Sequence, residues 1–585
     1  MMYRLSAAIA AATSLVAVAS IGAVAQTAAP AQPGSAASGL GQPGPLLAQG
    51  TLAPAQPAQP AQATPAPAAA AAAPTPCTGT PDPYKNYSCL DTYLGTGVLQ
   101  RFVNYYKLEW GQAGPPTDPN APPGRKAGWD PAPVTTPPMP FTDWPYGGTT
   151  TLGGNRTGSV DSPLMAAIAN TDLGKWMNDT GIQFYGWVDP GGNVSTNSVR
   201  KQGNAPVAYA AYPNTVQLDQ VVVYLERTPD TIQTDHVDWG FRLSALYGEN
   251  YRYTTSYGIS SYQFTKYNNQ NGYDFPMLYG ELFVPQVAQG LMFRLGRYIS
   301  IPDIEAQLAP NNYMYTHSIS YSFDNYTNEG LEATLAINPH VILEFGMNVG
   351  TETTVTNVGE TITNPNRNPL FPGTRVPKDP GAQLPSFSGC LRVNWNGGND
   401  NFQPCFDGIN SGAWGYNNLQ WYGFTYYHKF NDQWHVSLEG YWEGEFGVPN
   451  ASNPLVSNSA GTGFAQIGGP FAQLTFNRPN LAHCGTATAL RCNAYAEGLV
   501  AYINYSPDPL DNFSIRPEIY YDPQGQRTGT PATYWEIGFG LQHWLSPQVE
   551  LRPEIDYYHS NGANAFNIGT KNYTLMAAGD IIWHF

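Results

Sequence analysis

From residue 181 to the end of the chain, apolar and polar residues alternate with a period of two. Val549, Leu551, Pro553, Ile555 and Tyr557 interleave with Glu550, Arg552, Glu554, Asp556 and Tyr558. Trp434, Val436, Leu438, Gly440 and Trp442 interleave in the same way with His435, Ser437, Glu439, Tyr441 and Glu443. This is the pattern of a strand with one apolar and one polar face. The runs exceed the roughly 5–6 residues usual for soluble strands and approach the roughly 9–11 that cross a bilayer at a tilt. The final run places Phe585, Trp583, Ile581, Gly579, Ala577, Leu575 and Tyr573 on one face, with His584, Ile582, Asp580, Ala578, Met576 and Thr574 on the other. Aromatic residues near both ends of such a strand suit a wall between lipid and water.

The alternation predicts strands near 181–189, 217–228, 236–249, 277–285, 290–298, 330–338, 340–350, 419–430, 433–445, 494–506, 511–522, 533–545, 547–559 and 572–585. They make an even number, about 14, with 12 or 16 as alternatives. The fold expected is all-β: a transmembrane up-and-down antiparallel barrel over residues 181–585 with long outer loops. Short turns, such as Pro339, Asn431-Asp432 and Ser546, alternate with long connections, including 351–418 and 446–493. That asymmetry matches short periplasmic turns opposite long outer loops. Pro517 and Pro553 fall mid-strand, where a missing ladder donor is expected to force a bulge.

The preceding residues read differently. Arg4, the apolar run Leu5–Val24 and Ala23-Val24-Ala25 predict a signal peptide over 1–25, hence Sec-type export. Residues 26–76, rich in Ala, Pro and Gln, lack the apolar surface to offset ordering entropy and read as a disordered linker. Its Gly39-x-Gly41-x-x-Gly44 has no flanking strand or helix and carries no nucleotide-binding meaning. Residues 77–180 read as an irregular Cys/Pro-rich region with a short helix near 163–177, started by Asp161-Ser162-Pro163. That helix is expected at the periplasmic rim, in the lumen or on the surface.

Composition supports a membrane strand protein. The chain has 38 Tyr, 14 Trp and 24 Phe but only 12% charged residues. Its net charge of −16 comes with no basic patch for nucleic acid. Six cysteines form three sequence-local couples in Pro/Gly/Asn-rich stretches, so the expected disulfides of an exported protein are Cys77–Cys89, Cys390–Cys405 and Cys484–Cys492. The later four are expected in the two longest outer loops. Zinc-type spacing is missing, and no metal or cofactor is expected. No H-E-x-x-H, G-x-S-x-G or P-loop string appears, and no catalytic residue is assigned.

Gly181-Ile182-Gln183-Phe184-Tyr185-Gly186-Trp187-Val188-Asp189 with Asn193 and Ser195, Gly290–Tyr298, and the strands carrying Arg516-Pro517-Glu518-Ile519 and Arg552-Pro553-Glu554-Ile555 resemble the β-barrel porin-2, OmpL-like family. The terminal strand also resembles the C-terminal strand that barrel-insertion machinery reads, making Phe585 the candidate assembly signal. The resemblance implies an outer-membrane pore in a Gram-negative cell and names no solute. Its expected partners are outer-membrane lipid, the insertion machinery, small diffusing solutes and a second copy of the chain in a homo-oligomer.

Alternation assigns Asp238, Glu281, Glu332, Glu344, Glu439, Glu443, Glu518, Glu536, Glu550, Glu554, Asp556 and Asp580 to the lumen, with Arg242, Arg294, Arg516 and Arg552. This excess of carboxylates predicts a weakly cation-biased lumen. The connection Ile299–Glu329 is the candidate constriction, with an outer lid as the alternative; folded inward, its Asp303 and Glu305 would oppose Arg242, Arg294 and Arg297. The function expected is a porin for passive diffusion of small polar or ionic solutes. The alternative is a surface-binding, adhesion or structural barrel with a plugged lumen.

Overall fold

The computed structural model describes residues 87–110 and 162–585, apart from 232, 257–259, 261–262, 264–268, 300–302, 356–384, 416–417, 460–480, 509 and 547. The expected signal peptide, the linker and Cys77 lie outside the described residues, so the Cys77–Cys89 pairing does too.

The strands are β1 (Ile182–Ser195), β2 (Val216–Arg227), β3 (Asp238–Gly248), β4 (Gly272–Asp274), β5 (Leu278–Val284), β6 (Leu291–Ile299), β7 (Thr327–Asn338), β8 (Val341–Thr351), β9 (Ser386–Trp395), β10 (Asp400–Ile409), β11 (Gln420–Lys429), β12 (Trp434–Pro449), β13 (Arg491–Asp508), β14 (Asp511–Asp522), β15 (Ala532–Ser546), β16 (Val549–Asn561) and β17 (Tyr573–His584). Each pairs antiparallel with its neighbours, and β17 closes on β1 with Trp187 opposite His584. Both β4 and β5 pair with β3, so they form one broken stave in a ring of 16.

The two staves beyond the expected 14 are β9 and β10, which lie inside the stretch read as a single loop, 351–418. Their alternation is weak. On the inner side Ser386, Ser388 and Gln403 are small or polar, and Pro404 and the turn Asn396–Gly398 interrupt the pattern. Cys390 and Cys405 therefore sit in strands, correcting their placement in a loop. They are directly opposed across β9 and β10, Cα atoms 4.2 Å apart, and joined by a disulfide. Cys484 and Cys492 are also bonded, tying the β12–β13 connection to the second residue of β13, so Cys492 too sits in a strand rather than a loop.

The prolines need no bulge. Pro517 keeps its register with Ile537, while the pairing of β14 with β13 lapses between Glu518 and Ile515 without shifting. Pro553 does the same, paired with Gly579 on one side and lapsing towards β15 on the other. In an antiparallel ladder a residue's N–H points to one neighbour only, so proline forfeits bonds on one side.

Outside, Leu243, Leu295, Phe345, Phe539, Ile555 and Leu575 are exposed along the mid-height of the wall. Trp239, Trp434 and Trp583 ring the end with short turns, and Tyr247, Tyr422, Tyr557 and Tyr573 the end with long loops. An exposed apolar band between two aromatic girdles is stable only against lipid. No helix among the described residues is long and apolar enough to cross a membrane.

Before the barrel come α1 (Tyr87–Leu94), α2 (Val98–Glu109), α3 (Pro163–Ile168) and α4 (Asp172–Thr180). Ser162 caps α3 by accepting from the Met165 amide, with proline at its first turn. Thr171 caps α4, and Gly181, with φ of 70°, ends it and turns the chain into β1. The α1 and α2 stretch was expected to be irregular. It folds because Leu90, Leu94, Tyr105 and Leu108 bury against Ala166 of α3. Arg101 of α2 donates to the Ala166 carbonyl at 2.9 Å. The helices sit at the turn end of the barrel, where the Tyr106 hydroxyl meets the His584 carbonyl and its ring packs edge-on to Trp583.

Candidate functional site

Every lumen residue assigned by alternation lies on the buried side of its strand, opposite the exposed apolar side. Those side chains do not face open space. The segment 303–326, between β6 and β7, is buried almost throughout, and its backbone is held by the inner wall.

The hold has a repeated form. Glu554 on β16 accepts from the amides of Tyr315 and Thr316 at 2.9 and 3.0 Å. Glu518 on β14 accepts from the amides of Ile319, at 2.9 Å, and Ser320. Two residues earlier in each strand, on the same face, an arginine takes carbonyls. Arg552 donates to the carbonyls of Ala309 and Asn312 at 2.6 and 3.0 Å, and Arg516 to the carbonyl and hydroxyl of Thr316. The two Arg-Pro-Glu strands are thus a double clamp on peptide groups, with carboxylates on N–H and guanidinium on C=O. Charge-assisted bonds of this kind are the stronger ones. On β12, Glu439 accepts from the Ile304 amide at 2.9 Å. On β2, Gln220 bonds the Gln307 carbonyl and the Ala309 amide. The segment therefore crosses from one side of the wall to the other.

A second segment lies beside it. Tyr209, from the β1–β2 connection, stacks on His317 with ring centroids 3.7 Å apart and on Tyr253 at 4.6 Å. Residues 207–212, Tyr315, Tyr321, Phe323 and Tyr326 share one apolar cluster with inward Tyr441, Tyr520, Tyr534 and Tyr558.

The expected pairing of this segment with Arg242, Arg294 and Arg297 is corrected. Arg242 binds Glu226 at 2.6 Å, Arg294 binds Glu281 at 3.0 Å, and Arg297 binds Asp274 at 3.0 Å. Neighbouring staves supply these acids at shorter range than any loop. Glu305 instead meets Arg516 at 3.3 Å, accepts from the Tyr502 hydroxyl at 2.7 Å and holds Ser318. Asp303 stands with Asp324 and Glu439, and Glu344 lies on the inner face of β8.

Alternation missed the contributors from irregular chain. Arg527, in the β14–β15 connection, donates to the Phe323 carbonyl at 3.0 Å and pairs with Glu443 at 3.2 Å. Glu249, Asp324 and Glu352 also have no periodic signal. Burial, reinforced by facing carboxylates, pushes Asp303 and Asp324 well above the usual carboxyl range. Burial lifts Glu249 to about 7 and Glu352 to about 8, against opposing arginines. The same burial pushes His317 down, leaving its ring neutral.

Residues 181–585 match the family described as "Putative beta-barrel porin-2, OmpL-like". No curated protein matches the chain. Among solved structures, an anion-selective porin from Comamonas acidovorans is 9% identical, with a TM-score of 0.39 over 69% of this chain and 99% of its own. The outer membrane channel DcaP of Acinetobacter baumannii is 8% identical, with a TM-score of 0.38 over 69% and 97%. OmpF of Salmonella typhi in complex with daunomycin is 10% identical, with a TM-score of 0.40 over 70% and 99%. The family match spans the closed barrel, from Gly181, the residue before its opening strand, to Phe585. The chain belongs to the OmpL-like β-barrel porin-2 family and is an outer-membrane porin.

Proposed function

We propose that this porin is a narrow diffusion channel for small polar or ionic solutes, biased towards cations, in which the segment 303–326 limits passage. The supporting observation is the crossing of the lumen by that segment, clamped by Arg516, Glu518, Arg552 and Glu554. Rings of carboxylates favour cations, and the buried acids of the inner face outnumber its arginines. Arg242, Arg294 and Arg297, each paired with a wall acid, leave little free positive charge to attract anions.

The test is single-channel recording of the refolded protein in planar bilayers, with reversal potentials in a KCl gradient. The reading expects small conductance steps and a cation-selective reversal potential. Anion selectivity, or a wide conductance indifferent to changes in the clamp, would overturn it. The burial of the crossing segment also favours a second reading, a plugged barrel that binds or supports at the surface. Complete absence of conductance from correctly folded protein would select that reading.

The proposal extends to biogenesis. Sec-type export by the signal peptide 1–25, delivery to the insertion machinery through Phe585, and assembly of several copies are its parts. Phe585 exchanges backbone bonds with Gly186 at 2.8 and 3.0 Å, so the terminal residue lies at the seam where the barrel closes.

A further inference from the structure

Three carboxylates meet inside the barrel where the crossing segment begins and ends: Asp303, Asp324 and Glu439 of β12. Each offers an oxygen within 4.8 Å of the others'. They are 6%, 0% and 1% exposed. Several acids of the inner face meet an arginine, such as Glu226, Glu281 and Asp580, but among the described residues no ion pair reaches any of these three. Each also keeps one buried oxygen without a hydrogen-bond donor: Oδ1 of Asp303, Oδ2 of Asp324 and Oε1 of Glu439. Of their other oxygens, one of Glu439 accepts from the Ile304 amide and one of Asp324 from the Asn325 amide. Uncompensated carboxylates in such a place are costly, and one cation would compensate all three side chains together.

We propose that Asp303, Asp324 and Glu439 form a binding site for a hard divalent cation, calcium by class, which fastens both ends of the crossing segment to the wall. The donor set is all oxygen, which suits calcium or magnesium and disfavours zinc or copper. Oxygens bound to one calcium at about 2.4 Å lie no more than about 4.8 Å apart, the limit these three respect. Magnesium demands a near-ideal octahedron, whereas calcium takes about 6–8 oxygens in flexible geometry, so the three carboxylates would begin a calcium shell that carbonyls or waters complete. The ion would close a loop of the chain from Asp303 to Asp324 and pin it to β12, adding to the grip of the two Arg-Pro-Glu strands. The site depends on the placement of that segment and not on conduction, so it stands or falls separately from the channel reading.

The test uses full-length protein refolded without lipopolysaccharide in detergent, stripped with EDTA and titrated calorimetrically with CaCl2. One site per chain is expected, together with a rise in the thermal unfolding midpoint on adding CaCl2. Asp303→Asn/Asp324→Asn should weaken binding at least about tenfold and abolish the midpoint shift. Glu439→Gln, which leaves both loop acids in place, gives the same readout if the double variant fails to show the heat-modifiable migration of a folded barrel. A wild-type protein that binds no calcium overturns the proposal. So do variants that bind it unchanged, which would place the ion on surface acids, and so does tighter binding of MgCl2 than of CaCl2.

Discussion

The arginines on the inner face of the strands are individually expensive to bury, and several are held there in pairs with acids. Arg552 is 1% exposed and binds both carboxylate oxygens of Asp580 through its Nε and one Nη. Replacing it by Met would strand Asp580 and is expected to cost about 3–5 kcal/mol in urea unfolding, with Arg552→Met/Asp580→Leu recovering most of the loss. Glu249, outside the strands, has no such pair among the described residues. Its pKa is raised by burial to about 7, opposed by Arg252. A carboxyl that binds its proton more tightly when folded adds stability at low pH, which is lost as pH rises from the unfolded value through about 7. Glu249→Gln should therefore gain stability relative to wild type between pH 5 and 8, by up to about 3 kcal/mol, read from unfolding midpoints across that range. A difference independent of pH would show that Glu249 is not protonated in the fold. The acid on each strand was legible from alternation, because inward and outward positions differ by one residue. Its partner was not, because Glu226, Glu281 and Asp274 reach their arginines across staves whose register only the sheet sets.

At the scale of elements, the repeat Arg-Pro-Glu-Ile was visible in the sequence as a recurring strand. Its purpose came from the chain it grips, more than 190 residues away from the β14 copy. Glu518→Ala/Glu554→Ala removes the carboxylate half of both clamps. Single-channel conductance is expected to rise about twofold or more, since the segment that narrows the lumen loses its amide anchors. An unchanged conductance would place the limiting point elsewhere. The β9–β10 hairpin carries a different lesson. Its cysteines were read as a loop staple, yet they link opposed positions of two neighbouring staves. Cys390→Ala/Cys405→Ala is expected to cost about 2–4 kcal/mol in unfolding free energy while the folded barrel still forms, because the β9–β10 ladder remains.

For the whole molecule, closure is the governing event. An antiparallel sheet open to lipid would leave edge N–H and C=O groups without partners, and β17 meets β1 to remove both edges. Deleting Phe585, which bonds Gly186 across that seam, should reduce the fraction of protein reaching the heat-modifiable folded form in the outer membrane. Normal insertion would remove Phe585 from the assembly signal.

Strand identity, the two faces of each strand, the even stave count to within one hairpin, and the placement of carboxylates on the inside all follow from a period of two, because a strand's side chains alternate whatever it pairs with. Which acid meets which arginine, the fold of residues 303–326 across the lumen, the contribution of Arg527 and the meeting of Asp303, Asp324 and Glu439 do not. These depend on how irregular connections return into a closed ring, where partners distant in sequence are brought together by the register and curvature of the sheet. Such contacts leave no local pattern, so only the tertiary structure decides them.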